Sequence, residues 1–358
     1  PRGLLFWRSA THFLGGIGIV VFAISVLPGL GHAAMILYRS EFSSIAHDQF
    51  RARARQAMII LLWVYLGLNA LETAILMCCG MSLFDAVNHA FATIATGGFS
   101  TRNASVAAYE SPAIEAVIMF FMVVSGMHFG LLFAAATGHV ERLWTSSTVR
   151  YYLATLAAAV GVVTVSVHGA VFGSWADSLR HGAFQLISVA TSTGFASADS
   201  AAWPAAAQMV MLFMMIQCGC SGSTAGGIKA DRMLLVFKAI GKQFRKLRYP
   251  RVVVSLKMDR AAVEQETVET VLVFVTLYLC VLFLSTFALA AMGVDLLSAF
   301  SGVVASMGNV GPGFGSVGSM ANYNHLPEAA KWVLSFTMLC GRLEIFGFLM
   351  LFTTRSWR

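Results

Sequence analysis

The chain has 358 residues, of which 58% are apolar and only 11% charged, with a mean hydropathy of +0.74 and a formal net charge of +7. A soluble domain carries about 25% charged residues, so this composition excludes an ordinary soluble enzyme and indicates an all-α polytopic membrane protein. The six cysteines sit in or beside apolar runs without zinc-site spacing, and Cys218-Gly219-Cys220 reads as small polarizable filler rather than a soft-metal site.

A run of roughly 20 apolar residues crosses the hydrocarbon core, and the chain carries about seven. They fall near 10–31, 57–79, 113–137, 151–172, 205–228, 267–292 and 329–353. The first is patterned as a core helix rather than a signal peptide. Glycines 15, 16 and 18, and the Gly126-x-x-x-Gly130 pair, read as sites of close helix approach. Glu72 stands inside the second run and is read as structural.

Basic residues gather between the runs. They are Arg39, Arg51, Arg53 and Arg55, then Arg142 and Arg150, and then a long group from Lys238 through Lys242, Arg245, Lys246, Arg248 and Arg251 to Arg260. Arg355 and Arg358 close the chain. The positive-inside rule assigns these segments to the cytoplasm. Lying between membrane runs, the long basic group is expected to meet anionic lipid or a cytoplasmic partner, and not nucleic acid.

Three times an amphipathic half-length stretch leads into a small-residue glycine loop. The stretches are Leu83–Ile94, Ala176–Ala190 and Leu296–Met307, each opening near an acidic residue (Asp85, Asp177, Asp295). The loops are Ala95-Thr96-Gly97-Gly98-Phe99, Thr191-Ser192-Thr193-Gly194-Phe195 and Gly308-Asn309-Val310-Gly311-Pro312. Each cassette lies between two apolar runs, and the repetition is the organising feature of the sequence. Irregular backbone at membrane depth is tolerated only where protein buries it or where it lines a water-filled path. A ring of such loops presents carbonyl oxygens that replace an ion's hydration shell. A half-helix running inward aims its negative end at the loop, which favours a cation.

Two interruptions follow. Gln217 to Gly227 (QCGCSGSTAGG) breaks an apolar run with residues a helix holds poorly, since each interior Gly costs about 1 kcal/mol against Ala. Arg342 lies within the last run, where a mid-membrane charge costs at least ~2.5–3.5 kcal/mol and so faces the bundle interior. Glu344, two residues on, does not share its helix face.

Several stretches resemble the ion-conducting subunit of Trk/Ktr/HKT-type potassium uptake systems, in particular its bacterial TrkH-like members. They are PRGLLFWRSATHFLGGIGIVV (1–21), HAFATIATGGFST (89–101), AFQLISVATSTGFAS (183–197), CGCSGSTAGGIK (218–229), VVASMGNVGPGFG (303–315) and GRLEIF (341–346). The resemblance implies tandem helix–pore loop–helix repeats around a central pore. Residues 1–37 match the inner helix of a first repeat, 38–137 a second, 138–240 a third and 241–358 a fourth. It implies a potassium filter at Ala95, Thr96, Gly97, Gly98, Thr191, Ser192, Thr193, Gly194, Gly308, Asn309, Val310 and Gly311. It also implies a gate formed by Gly219, Ser221, Gly222, Ser223, Thr224, Gly226, Gly227 and Lys229, with Arg342 beside it. A first filter loop is expected upstream of Pro1, so the sequence reads as a fragment of a longer protein.

The same resemblance implies a homodimer in the bacterial inner membrane, with potassium as the transported ion and no organic cofactor. A cytoplasmic TrkA/KtrA-like nucleotide-binding regulatory subunit is expected at the basic inner loops. Two rivals from other classes are weighed. A broken-helix secondary cation symporter shares the interrupted run but does not predict three cassettes in register. Gly219-Cys220-Ser221-Gly222 has the form of an intramembrane serine protease motif, yet the one histidine after Ser221 is His325, expected in an outer loop.

Overall fold

The structure, a computed structural model, describes residues 1–26, 50–252, 255–259, 261–343 and 345. The readings placed on Arg39, Arg260, Glu344, Arg355 and Arg358 lie outside the described residues.

Helix α1 (Arg2–Val26) opens the chain, and the long α2 (Phe50–Cys78) carries the next apolar run. Arg51, Arg53 and Arg55 therefore stand on the first turns of a helix rather than in a loop. Helix α3 (Leu83–Ile94) starts at Ser82, whose hydroxyl accepts the Asp85 N–H and supplies one of the acceptors a helix N-terminus lacks. Helix α4 (Pro112–Ser125) has proline in its first turn, and α5 (Phe129–Ala136) follows after a sharp break. The short α6 (Glu141–Thr145) precedes α7 (Ser147–Val167) and the half-helix α8 (Trp175–Ala190), capped by Ser174. Helix α9 (Ala205–Gln217) is separated from the basic α10 (Ala230–Arg248) by irregular chain. Two residue pairs, β1 (Lys257–Met258) and β2 (Ala261–Ala262), form a small antiparallel ribbon. Then come α11 (Gln265–Ala291), α12 (Leu296–Met307) and α13 (Glu328–Arg342).

One packing trio recurs three times. Half-helix α3 lies between α2 and α4, α8 between α7 and α9, and α12 between α11 and α13. The half-helices are the most enclosed elements: Ala90, Ala190 and Ala305 are fully buried near their ends. The long helices turn large apolar side chains outward, among them Phe287 at 74% and Trp332 at 77% exposure. Contiguous apolar surface of this kind is stable against lipid rather than water.

Seven full spans are expected from hydropathy, and the described chain departs from that in an instructive way. Residues 59–78 of α2, α7 and α11 are long and apolar enough to cross a membrane. The run at 113–137 is instead a bent pair, α4 and α5 meeting at 107°. The run at 205–228 ends as a helix at Gln217, because the glycines, serines and threonine that follow cannot sustain one. Of glycines 15, 16 and 18, only Gly16 marks a close approach: a Cβ there would lie 2.8 Å from the Tyr65 hydroxyl and 2.9 Å from Ala95 Cβ. A Cβ at Gly15 or Gly18 would meet nothing within 4 Å.

Candidate ion pathway

The three glycine loops are built alike. Each half-helix ends at Ala95, Thr191 or Gly308. The next residue (Thr96, Ser192 or Asn309) is left-handed, with φ of 52°, 54° and 53°. Its N–H donates to Thr93, Val189 or Ser306, and the following N–H (Gly97, Thr193 or Val310) to Ala92, Ser188 or Ala305, at 2.7–3.2 Å. Loop amides are thus spent on the helix ends, which leaves carbonyls as the groups able to meet a cation. Two are engaged locally: Ala95 O accepts the Thr96 hydroxyl and Gly311 O the Tyr323 hydroxyl, both at 2.7 Å.

The loops also touch one another in chain order. A Cβ on Gly98 (φ 70°) would lie 2.0 Å from Thr193 O, and one on Gly194 (φ 85°) 2.2 Å from Val310 O. No side chain fits at either position, and the left-handed backbone disfavours one independently. Gly311 has φ 104° with open space around it, so only its backbone asks for glycine.

Behind each loop the outgoing limb is tied back to its own half-helix. His89 Nε2 pairs with Ser100 Oγ at 3.0 Å, Gln185 Nε2 donates to Ala198 O at 2.7 Å, and the Phe314 N–H donates to Ser301 Oγ at 2.8 Å. Sequence reasoning missed these braces, and it missed Arg8, whose guanidinium lies 4.6 Å over the Phe99 ring and bonds Ser100 O. Outside the membrane-spanning helices, the Asp295 carboxyl is held below the usual carboxylate range, chiefly by the Ser298 N–H it accepts at the start of α12.

Against the inner ends of the half-helices lies the chain between α9 and α10. Its two ends are pinned together: Ile228 N–H donates to Ile216 O, Lys229 N–H to Gln217 O and Ala230 N–H to Gly219 O, at 2.8–2.9 Å. Gln217 is fixed by the Tyr151 hydroxyl at 2.9 Å and Thr155 at 3.0 Å, a support with no sequence signal. The middle of this interrupting loop touches all three cassettes. Thr224 donates to Ile94 O at 2.9 Å, its carbonyl accepts the Thr96 hydroxyl at 3.0 Å, and the Gly226 N–H donates to Ser192 Oγ at 2.9 Å. A Cβ on Gly226 would strike Gly308 O at 2.2 Å.

Arg342 joins the same point. Its Nη1 donates to Thr224 O at 3.0 Å, so one carbonyl is shared by the last helix, the interrupting loop and the first glycine loop. The predicted gate residues therefore divide. Thr224, Gly226 and Arg342 meet the glycine loops. Ser223 caps a turn on Cys220 O at 2.6 Å, and Gly227 packs on Cys218. Lys229 is buried at the neck with φ 78°. Gly219, Ser221 and Gly222 face the other way, toward α4–α5 and Asp231, with the Ser221 N–H donating to Asp231 Oδ1 at 3.0 Å.

The arrangement brings backbone carbonyls of three loops together and does not bring His325 to Ser221. His325 pairs with Ser316 at 2.9 Å, not with Ser221. Among the described residues no group of three or more His, Cys, Asp or Glu side chains could hold a metal ion.

Comparison with known proteins gives the family. The family model TrkH, described as a cation transport protein, matches residues 1–357. The Trk system potassium uptake protein TrkH of Escherichia coli strain K12 is 37% identical over 362 residues, covering 100% of this chain and 74% of that protein. The TrkG protein of the same strain is 31% identical over the same shares. The crystal structure of the potassium transporter TrkH from Vibrio parahaemolyticus superposes with a TM-score of 0.87 at 34% identity, covering 100% of this chain and 74% of that one. Matched over residues 1–357 by the family model and over its whole length by a relative 37% identical, the chain belongs to the TrkH family of cation transport proteins.

Proposed function

We propose that this protein takes up potassium across the bacterial inner membrane through a channel-like pore. Its filter comprises Ala95–Gly98, Thr191–Gly194 and Gly308–Gly311, and potassium is the ion it binds. The names of the relatives support the ion, and one observation supports the mechanism: three loops of like backbone form touch in chain order, and the interrupting loop contacts all three. Residues 1–37, 38–137, 138–240 and 241–358 are the successive repeats, the first represented by its inner helix.

The interrupting loop acts as the gate, with Arg342 holding its Thr224 carbonyl and setting a positive charge beneath the filter. The filter loops face outward and the basic segments inward. A cytoplasmic nucleotide-binding regulatory subunit bears on those segments, and two copies pair in the membrane. The run of lysines and arginines on α10 supports both the orientation and the regulatory contact.

The filter assignment is tested by Gly194→Ser. A Cβ there collides with Val310 O, so the potassium-over-sodium uptake ratio should fall about tenfold or more while membrane insertion persists. An unchanged ratio in a transport-deficient host removes this loop from the filter.

A further inference from the structure

The break between α4 and α5 has no part in the conduction path proposed above, yet its backbone is committed to the interrupting loop. In a continuous helix Gly126 O would accept the Gly130 N–H, and the Phe129 N–H would reach Ser125 O. Here the Gly130 N–H goes to His128 Nδ1 at 3.0 Å, and Gly126 O accepts the Cys220 N–H at 2.8 Å. The Phe129 N–H donates to Gly222 O at 3.0 Å. Two broken spans thus satisfy each other's freed backbone groups, which is what makes both breaks tolerable at membrane depth.

The fit between them leaves no room for side chains. A Cβ on Gly222 would lie 2.6 Å from His128 Cδ2, and one on Gly219 2.8 Å from Gly126 O. The interrupting loop, meanwhile, is strained at both ends. Cys218 sits at φ 53°, ψ −153° and Lys229 at φ 78°, ψ 142°, conformations that a residue with a Cβ adopts only when its surroundings impose them. The hydrogen bonds of the loop's own neck impose these two conformations, while the bonds to Gly126 and Phe129 fix the segment between them.

We infer that the α4–α5 break is the latch of the gate: the loop stays shut while its 220–222 segment is stitched to Gly126 and Phe129, and His128 is the positioning residue whose ring braces Gly222. This rests on the reading of the interrupting loop as a gate. The latch also has a route to the basic side of the molecule. Helix α5 runs on through α6 to Ser147, whose N–H donates to Asp259 Oδ1 in the turn of the β1–β2 ribbon. A regulatory protein that displaced this region would pull α5 away from Gly222.

The test is rubidium influx into liposomes holding the purified full-length protein, normalised to inserted protein. Four variants are compared: His128→Ala, His128→Asn, Gly222→Ala and a deletion of residues 221–225. Asparagine keeps the helix cap on α5 but removes the ring. Both His128→Ala and His128→Asn should raise basal flux about fivefold or more, the scale of a modest coupling between two states. Gly222→Ala should leak as well, because its methyl strikes the His128 ring and its backbone, at φ 74°, disfavours a side chain. Should His128→Ala fail to insert, His128→Asn and Gly222→Ala decide. His128→Asn conducting at the unmodified rate while the deletion leaks would overturn the latch and leave the gate standing. A deletion that conducts at the unmodified rate would remove the gate reading, and the latch with it.

Discussion

At the scale of single residues, the Thr224 carbonyl is the junction of the proposed pore. It accepts from Thr96 and from Arg342, while the Thr224 hydroxyl reaches Ile94 O. Arg342 satisfies a carbonyl freed by the broken span, and under the proposed function it also places a charge by the ion path. Two like charges about 4 Å apart at an effective dielectric near 20 repel by roughly 4 kcal/mol, so a neutral residue here should open the path to cations. Arg342→Ala is expected to raise potassium flux at least tenfold. Arg342→Lys, which keeps the charge and loses the planar fork, should stay near the unmodified rate. Tracer influx measured beside a count of inserted protein checks the pair. Equal flux in all three proteins would show that Arg342 does not gate.

Between elements, a two-pronged ion pair joins α4 to α8. Arg180 Nε and Nη2 grip the two oxygens of Glu115 at 2.7 and 2.8 Å, and Glu115 is 1% exposed. The pair fastens the helix following the first glycine loop to the half-helix leading into the second, and so helps set how far apart those loops stand. Removing Arg180 strands the buried Glu115, which costs up to about 3–5 kcal/mol, whereas removing both is far milder. Arg180→Ala should therefore lower the melting temperature in detergent clearly, and Arg180→Ala with Glu115→Ala should recover more than half of the loss. A double variant no more stable than the single one would show that packing, not charge, holds α4 to α8.

For the whole molecule, the proposed direction of transport rests on the asymmetry of charge. Asp199 and Ser316 are exposed on the limbs leaving the second and third glycine loops, and Gln243 is exposed on the basic α10. In a background freed of native cysteines, Asp199→Cys and Ser316→Cys should react with an impermeant thiol reagent applied outside whole cells. Gln243→Cys should react only after the membrane is opened. The reverse pattern would turn the filter to the wrong face.

Much of this was legible in the chain. The bounds of α3 and α12 follow from residues that act locally: Ser82 and Asp295 as caps, apolar positions at helical spacing, and a small-residue stop at Ala95 and Gly308. The likeness of the three loops was legible too, in the glycine that recurs after each small-residue stop, whereas the left-handed step at Thr96 and Ser192 runs against local preference and is held by the bonds to the helix ends. The 107° break at Gly126–His128 was not, since apolar periodicity continues through it and the cause is a hydrogen bond to Cys220, far along the chain. The same holds for the bond from Arg342 to Thr224, the Glu115–Arg180 pair, and the contact of Gly98 with Thr193. The order of residues alone determined where helices begin, where they must stop and which segments avoid lipid, because capping, spacing and backbone strain act over a few residues. Only tertiary structure decided which freed carbonyl meets which donor, because that depends on how helices from separate cassettes pack, and packing brings together groups that no local pattern connects.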